Sequence, residues 1–251
     1  MKPMPKDLSN GVDPIKNDVI IEFTRQGELI NHWSILELLQ SKNTLKEIKA
    51  RSNHPTDWFH SNAIFYDETH DAFIVSVRHQ DWVIQFDRTT GKLAWRLGAG
   101  GEFDLIGEGE WQRHQHGVKL LDEQTIVIYD NGNGRFDDPS QLYTRAVAYQ
   151  FDTAKKTSKQ VWEFRDDKLF YSPFLGEMNV LKNGNFLVSD GGKVSNPSMK
   201  PPNPENQKSV RILEITYDES PEKVFELIIK DDSVGYSSNR TERIVSLYDF
   251  E

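Results

Sequence analysis

Three side chains that can handle an anionic group stand at corresponding places in the sequence. His60 lies three residues before an apolar segment that starts at Ala63, and His116 lies two residues before another at Val118. Arg78 follows directly on the apolar segment between them. An imidazole can act as a nucleophile, acid or base near pH 7 because its unperturbed pKa is about 6.5. A guanidinium is a permanently charged fork for two oxygens. Together these residue types indicate a site for an anionic substrate.

Each of these residues also has an ordinary structural explanation. A histidine near the start of a strand is usually a hydrogen-bonded part of the structure, and Arg78 can pair with a carboxylate. His79 is expected to point away from Arg78, because side chains alternate along a strand, and His114 to face the same way as His116. The other histidines are expected to be solvated in turns or in the flanking segment: His32, His54 and His70.

Three competing motifs are weaker. His114 and His116 suit zinc, but no third ligand follows at a diagnostic spacing. The oxygen-rich segment 130–138 suits calcium, yet it lacks the order of ligands of an EF-hand. The glycine-rich segment 98–101 lacks the lysine and the helix of a phosphate-binding loop. We therefore expect no metal and no cofactor, and keep a metal-assisted hydrolase that uses 130–138 as an alternative.

A long-period repeat provides the elements that position these residues. Four apolar segments, each followed by a polar turn, end at Phe23, Phe86, Phe151 and Ile215, so the steps are 63, 65 and 64 residues. After each turn, a second strand carries an aromatic residue: Trp33, Trp95, Trp162 and Phe225. We expect these four aromatic residues to occupy equivalent positions in successive sheets.

Two further strands precede three of these hairpins. The turn at 182–185, which contains Asn183 and Gly184, is the strongest hairpin signal among them. Four antiparallel strands joined by short turns make a blade of a β-propeller, so the sequence predicts an all-β propeller with about four visible units. This topology puts His60 and Arg78 on one face of one blade. One helix is expected from Ser34 to about Ala50, with an apolar stripe of Leu36, Leu39, Leu45 and Ile48.

Composition excludes several classes of function. The chain has 251 residues and a formal net charge of -9, which disfavours a nucleic-acid groove and a polybasic membrane surface. Cysteine is absent, which excludes disulfides, thiolate metal sites and a cysteine nucleophile. No apolar run approaches 18 residues. Residues 1–16 form a predicted tail without the apolar core of a signal peptide, and residues 17–251 form the predicted propeller domain.

Several motifs occur in the order found in a known family. They are Asp57-Trp58-Phe59-His60-Ser61-Asn62, Val77-Arg78-His79-Gln80, Gln115-His116-Gly117 and Tyr129-Asp130-Asn131-Gly132. Together they resemble the bacterial arylsulfate sulfotransferases, over roughly residues 17 to 192. The resemblance implies a six-bladed propeller with its active site at the channel mouth. It also implies transfer of a sulfuryl group from an aryl sulfate ester to a phenol through a sulfated histidine, without a nucleotide sulfate donor.

The resemblance also implies roles for individual residues. The nucleophile falls on His116, the supporting histidine on His60 with Asn62 beside it, and the arginine on Arg78. The implied partners are a small phenolic sulfate as donor and a phenol as acceptor. Neither a nucleic acid nor a membrane is an implied partner. The resemblance leaves open whether the chain forms a homo-oligomer. The implied location is periplasmic.

Two features of the chain differ from the family pattern. A further active-site histidine of the family has no match upstream of His60, and about four units do not close a six-bladed ring. The alternative from another class is therefore a non-catalytic propeller remnant that binds anions or a protein partner.

Overall fold

The computed structural model describes residues 15–52, 54–166, 170–194, 196, 208–231 and 233–244. Strands dominate this part of the chain, which confirms the all-β prediction. The chain divides into two compact units, residues 1–101 and 102–251. Most of the predicted tail, 1–16, lies outside the described residues. No helix in the described ranges is long and apolar enough to cross a membrane.

The first unit contains a two-stranded and a four-stranded sheet. Its elements are β1 (Val19–Phe23), β2 (Leu29–Ser34), α1 (Ile35–Gln40), α2 (Leu45–Arg51), β3 (Ser61–Asp67), β4 (Ala72–Val77), β5 (Trp82–Asp87) and β6 (Leu93–Leu97). β1 pairs with β2, and β3 to β6 form an antiparallel meander in which each strand pairs with the next. A 3-10 turn, Arg78–Gln80, joins β4 to β5.

The second unit contains a five-stranded and a four-stranded sheet. Its strands are β7 (Asp104–Leu105), β8 (His116–Leu120), β9 (Thr125–Asp130), β10 (Arg145–Asp152), β11 (Thr157–Phe164), β12 (Glu177–Val180), β13 (Phe186–Val194), β14 (Lys208–Ile215) and β15 (Lys223–Ile229). β8 to β11 form one antiparallel meander and β12 to β15 another. β7 adds to β11 in parallel, which the repeat did not predict.

The predicted hairpins are all present, and the one at 182–185 shows why. Gly184 has a φ of 85°, a conformation that glycine adopts without steric cost. The Gly184 amide donates to the Leu181 carbonyl at 3.0 Å, and the Leu181 amide donates to the Asn185 carbonyl at 2.8 Å. This turn sets the register in which Val180 faces Phe186 at the end of the β12–β13 pair.

Two tryptophans on second strands of outer hairpins, Trp33 and Trp162, connect neighbouring sheets within a unit. Trp33 of β2 contacts Phe73 and Phe86 of the following meander, with ring centroids 5.2 and 5.7 Å apart. Trp162 of β11 contacts Phe186 of the following meander at 5.1 Å. These contacts belong to the main apolar core of each unit. They confirm that the Trp33 and Trp162 environments are equivalent.

Phe225 differs from the three tryptophans that it was expected to match. It occupies the second strand of its hairpin as predicted, opposite Glu214, but its side chain is 45% exposed, whereas Trp33, Trp95 and Trp162 are buried. No further strand follows β15 in the described residues, whereas another meander follows each of β2, β6 and β11, and all seven residues of β15 are exposed. The expectation of a shared environment is therefore wrong for Phe225.

The single helix expected from Ser34 to Ala50 is two helices, α1 and α2. The Ser34 side chain accepts a hydrogen bond from the Glu37 amide at the start of α1. Thr44 has extended backbone angles and forms a reciprocal capping box with Glu47, so a new helix begins there. Leu36, Leu39 and Ile48 are buried against the sheets as expected, whereas Leu45 is exposed.

Candidate active site

His60 is positioned by the tight connection into β3. Its backbone has a φ of 51°, an uncommon conformation for a residue with a Cβ, and its side chain is 48% exposed. The His60 carbonyl accepts the Arg78 amide at 3.4 Å, and the Phe59 carbonyl accepts the His79 amide at 2.9 Å. The start of β3 is thereby joined to the turn after β4, so the backbones of His60 and Arg78 are neighbours, as the topology predicted.

The meanders β3–β6 and β8–β11 each have a β-bulge at the start of their first strand. In β3, Ser61 pairs with Val77 and Ala63 with Ser76, so Asn62 is the extra residue. A bulge re-aims the side chains around it and is frequent next to active sites. Asn62 is half-buried at this bulge.

The matching bulge in β8 places His116. His116 pairs with Tyr129 and Val118 with Ile128, so Gly117 is the extra residue, with a φ of 54°. A Cβ on Gly117 would lie 3.1 Å from Glu177 Cα, which explains a glycine here. By register His116 therefore corresponds to Ser61, one residue after His60. The expected equivalence of His60 and His116 is offset by one position.

His116 is buried, and one of its ring nitrogens is held by Asn131. The His116 Nδ1 lies 2.6 Å from the Asn131 Oδ1, and the two side chains are 5% and 0% exposed. Asn131 directly follows β9 and reaches back to the histidine that opens β8. The backbone pairing of β8 with β9 brings these two positions together.

Three histidine rings and one aspartate cluster at the start of β3. His79 stacks on His60 with ring centroids 4.8 Å apart and on His54 at 5.8 Å. The His60 Nδ1 lies 2.7 Å from the Asp57 Oδ2, and the His79 Nδ1 lies 2.6 Å from the Asp57 carbonyl oxygen. Burial raises the pKa of Asp57, but the hydrogen bond and charge of His60 outweigh burial and hold that pKa below its usual value. This cluster keeps the His60 ring in one orientation.

The same cluster contains the donor atoms of a potential metal site. One ligand atom each of Asp57, His60 and His79 lies within 4.8 Å of the others. The Nδ1 atoms of both histidines already lie at hydrogen-bond distance from Asp57 oxygens, so a metal would have to use the two Nε2 atoms. Internal hydrogen bonds account for the arrangement of the cluster, and the absence of a metal stays a prediction.

We expect His79 to destabilise the fold as the pH falls. Burial lowers the pKa of His79 from the ordinary 6.5 to about 4. Between these values the unfolded chain takes up a proton that the folded chain refuses, so folding stability is full above pH 6.5 and declines towards pH 4. The expected loss is about 1–3 kcal/mol of unfolding free energy.

The His79→Asn variant tests this expectation, because its amide can still donate to the Asp57 carbonyl. Urea unfolding at a series of pH values is expected to show a smaller acid decline for His79→Asn than for the parent chain. A His32→Asn variant in β2 is the control and should follow the parent chain. Parallel pH profiles for the parent chain and His79→Asn would contradict the expectation.

Asp130, the first residue of the oxygen-rich segment 130–138, has a structural role. The Asp130 carboxylate, fully buried, pairs with the buried guanidinium groups of Arg135 and Arg145. Its Oδ1 also accepts the backbone amides of Arg113 and Gly132 at 2.9 and 3.1 Å. Two cations already neutralise this carboxylate, so it is unsuited to a further cation. This finding weighs against the metal-assisted hydrolase.

The sequence-predicted residues fall into two groups. His60, Asn62 and Arg78 lie together in the first unit, and His116 lies at the corresponding bulge of the second. That all of them face one cavity stays a prediction. Sequence reasoning missed the contacts of Asp57 and Asn131. The spacing of Asp57 three residues before His60 was an available signal for the first contact. The position of Asn131 after the strand that returns beside His116 was an available signal for the second.

Comparison of the sequence with known proteins identifies one family. The arylsulfotransferase (ASST) family matches residues 5–237, and the chain belongs to that family. Two curated relatives are named arylsulfate sulfotransferase AssT. The one from Escherichia coli O6:H1 is 23% identical over 237 residues, and the one from Lelliottia amnigena is 27% identical over 238. These alignments cover 70% and 71% of this chain, and the chain spans about 40% of the length of each relative.

Proposed function

We propose that this chain carries an arylsulfate sulfotransferase site in which His116 is the nucleophile. The observation that supports it most directly is the position of His116. The residue that corresponds to the family's nucleophile is buried at a bulge that opens β8, with one ring nitrogen held by Asn131. Membership of the arylsulfotransferase family supports the same chemistry. The activity for which the two relatives are named is part of what we propose for this chain.

The proposed reaction has two steps that conserve charge and atoms. In the first step a His116 ring nitrogen forms a bond to sulfur while the sulfur–oxygen bond of the aryl sulfate breaks, and the released phenolate takes up a proton. In the second step the oxygen of an acceptor phenol attacks sulfur, the nitrogen–sulfur bond breaks and the acceptor loses its proton. The products are a phenol and a new aryl sulfate, and the kinetics are ping-pong. The step needs no metal and no nucleotide.

Arg78 and His60 supply the remaining chemistry in this proposal. The sulfuryl group carries its negative charge on three oxygens, much as a transferring phosphoryl group does. The Arg78 guanidinium can bind two of these oxygens at once. A phenol has a pKa of about 10, so the leaving phenolate gains from a proton donor, and His60 takes that role.

The same proposal treats each meander as one blade of a six-bladed propeller. Sequential pairing of four antiparallel strands is the blade pattern, and the repeated tryptophan contacts join consecutive sheets within each unit. In such a ring the bulged starts of β3 and β8 would lie at the channel mouth, where propeller enzymes carry their loops.

Incubation of the chain with nitrophenyl sulfate and a phenol tests the function. We expect nitrophenol release that depends on the acceptor, and a sulfuryl adduct on His116 in mass spectra of the protein quenched without acceptor. Release that needs calcium or zinc and ignores the acceptor would favour the metal-assisted hydrolase. Absence of both turnover and adduct would favour the non-catalytic alternative.

Loss of His60 should depend on the leaving group. His60→Ala is expected to lower kcat with unsubstituted phenyl sulfate by about a hundredfold, the scale of general acid catalysis. It should lower kcat with nitrophenyl sulfate much less, because nitrophenolate leaves readily without a proton. Steady-state kinetics with both donors measure the difference.

His70→Ala is the matched control for His60→Ala. Like His60, His70 contacts the aspartate three residues before it in the chain. Its Nδ1 lies 2.8 Å from the Asp67 Oδ2, and its side chain is 55% exposed. We expect normal kinetics with both donors for His70→Ala. Equal losses with both donors in His60→Ala would rule out its role as the acid.

A further inference from the structure

The orientation of the Asn131 side chain is determined by its surroundings. The Asn131 Nδ2 lies 2.7 Å from the Ser172 carbonyl oxygen and 3.0 Å from the Leu175 carbonyl oxygen. Carbonyl oxygens only accept hydrogen bonds, so the amide nitrogen must face them. The Asn131 Oδ1 must then face His116, and the usual ambiguity between the two ends of an amide is resolved.

This orientation determines which nitrogen of His116 carries the proton. The Asn131 Oδ1 can only accept, so the His116 Nδ1, 2.6 Å away, must donate. A neutral imidazole carries one proton, so its Nε2 holds the lone pair. We infer that Asn131 is a positioning residue that keeps His116 in the Nδ1–H tautomer and so makes Nε2 the atom that attacks sulfur. The inference rests on the proposed function where it names sulfur.

A buried network keeps Asn131 in place. The Thr144 hydroxyl donates to the Asn131 carbonyl at 3.0 Å and accepts the Ser172 amide at 2.8 Å. Asn131 and Ser172 are 0% exposed and Thr144 is 2% exposed. Thr144 thus links the backbone of Asn131 to the backbone of Ser172, one of the two residues whose carbonyls hold the Asn131 amide. Rotation of the amide would break contacts on both sides.

A neutral amide suits a two-step transfer better than a carboxylate would. When Nε2 bonds to sulfur, the imidazole becomes cationic while Nδ1 keeps its proton. The Asn131 oxygen then accepts a stronger, charge-assisted hydrogen bond without taking that proton. A carboxylate would stabilise the cation further, and would make the sulfated histidine a poorer donor in the second step. An amide supports the attack and keeps the intermediate reactive.

Nitrogen NMR of histidine-labelled protein tests the inference without any need for activity. The His116 signals, assigned by their loss in His116→Ala, are expected to show a protonated Nδ1 and an unprotonated Nε2. In Asn131→Ala we expect a mixture of both tautomers and a kcat about 10- to 100-fold lower, the scale found for residues that orient metal-binding histidines. Asn131→Asp retains the acceptor and should retain the Nδ1–H tautomer.

Asn179→Ala is the control, because the Asn179 Nδ2 also donates to a carbonyl, that of Thr241, at 3.0 Å. It should leave the His116 signals unchanged. A protonated Nε2 in the parent chain, or unchanged His116 signals in folded Asn131→Ala, would overturn the inference. An Nδ1–H tautomer together with an active His116→Ala variant would overturn the proposed function and leave the assigned tautomer standing.

Discussion

The His116→Ala variant is expected to have no transfer activity above background. The proposed path needs a nucleophile that forms and breaks a bond to sulfur, and the chain has no cysteine to replace the imidazole. Mass spectra of the quenched variant should also show no sulfuryl adduct. The assay is acceptor-dependent nitrophenol release under conditions in which the parent chain is active.

Arg78→Ala is the comparison that separates a nucleophile from a charge stabiliser. Loss of one group that stabilises developing charge typically costs about a hundred- to a thousandfold in rate, so this variant should keep a measurable remnant. It should also still form the adduct on His116, more slowly. Urea unfolding of both variants shows whether each is folded. Full activity in His116→Ala would rule out the proposed mechanism.

The largest expected loss of stability follows from Asp130→Ala. This change would remove the fully buried carboxylate shared by the guanidinium groups of Arg135 and Arg145, which are 2% and 1% exposed. Their other ion-pair partners, Glu110 and Glu163, are 41% and 26% exposed. Breaking a buried ion pair on one side typically costs about 3–5 kcal/mol, which is a large part of the stability of an ordinary domain. Urea unfolding should show a midpoint far below that of the parent chain, or no folded baseline.

Two further variants make the Asp130 result interpretable. Asp130→Asn keeps an oxygen for the Arg113 and Gly132 amides and should fall between the parent chain and Asp130→Ala. Lys155→Ala removes an exposed ion pair with Asp152 in the same unit and should change the midpoint little. Equal midpoints for Asp130→Ala and Lys155→Ala would mean that the buried pair contributes no stability.

The ion pair at Asp130 recurs in the next meander. Asp130 of β9 pairs with Arg145 of β10, with the Arg145 Nε 2.8 Å from the Asp130 Oδ2. Asp190 of β13 pairs with Arg211 of β14 at the same distance between the same atoms. Both pairs join the second strand of a meander to the third. The sequence repeat was recognised from its apolar and aromatic residues. These charged positions are structurally equivalent as well, although Asp190 follows Asp130 by 60 residues and Arg211 follows Arg145 by 66.

Much of the fold was predictable because its signals are local. Alternating apolar residues and turns such as Asn183-Gly184 identify hairpins within about ten residues of chain. The helix prediction went wrong over 41–44, where a polar stretch is compatible with one continuous helix. The reciprocal contact of Thr44 with Glu47 starts a new helix there. The exposure of Phe225 depends on which elements pack against its sheet, and a periodic sequence pattern does not predict those elements.

The site was predictable only in part, because its key contacts are not local. His60 and His116 were found from their places before a strand and from the family motifs. The partners of Asn131, at Ser172 and Leu175, come 41 and 44 residues later in the chain. His79 was expected to point away from its neighbour, and its stacking on His60 follows from the 3-10 turn that interrupts the strand alternation.

The exposure of β15 has a consequence for the handling of this protein in solution. Five of its seven residues are large apolar residues at least 40% exposed: Val224, Phe225, Leu227, Ile228 and Ile229. Its charged residues Lys223 and Glu226 are engaged with Asp166 and Arg211, so they do little to repel an approaching chain. An apolar strand at the end of a sheet is a template for pairing with another molecule. Protein concentration is therefore a variable that every kinetic and unfolding measurement on this chain has to control.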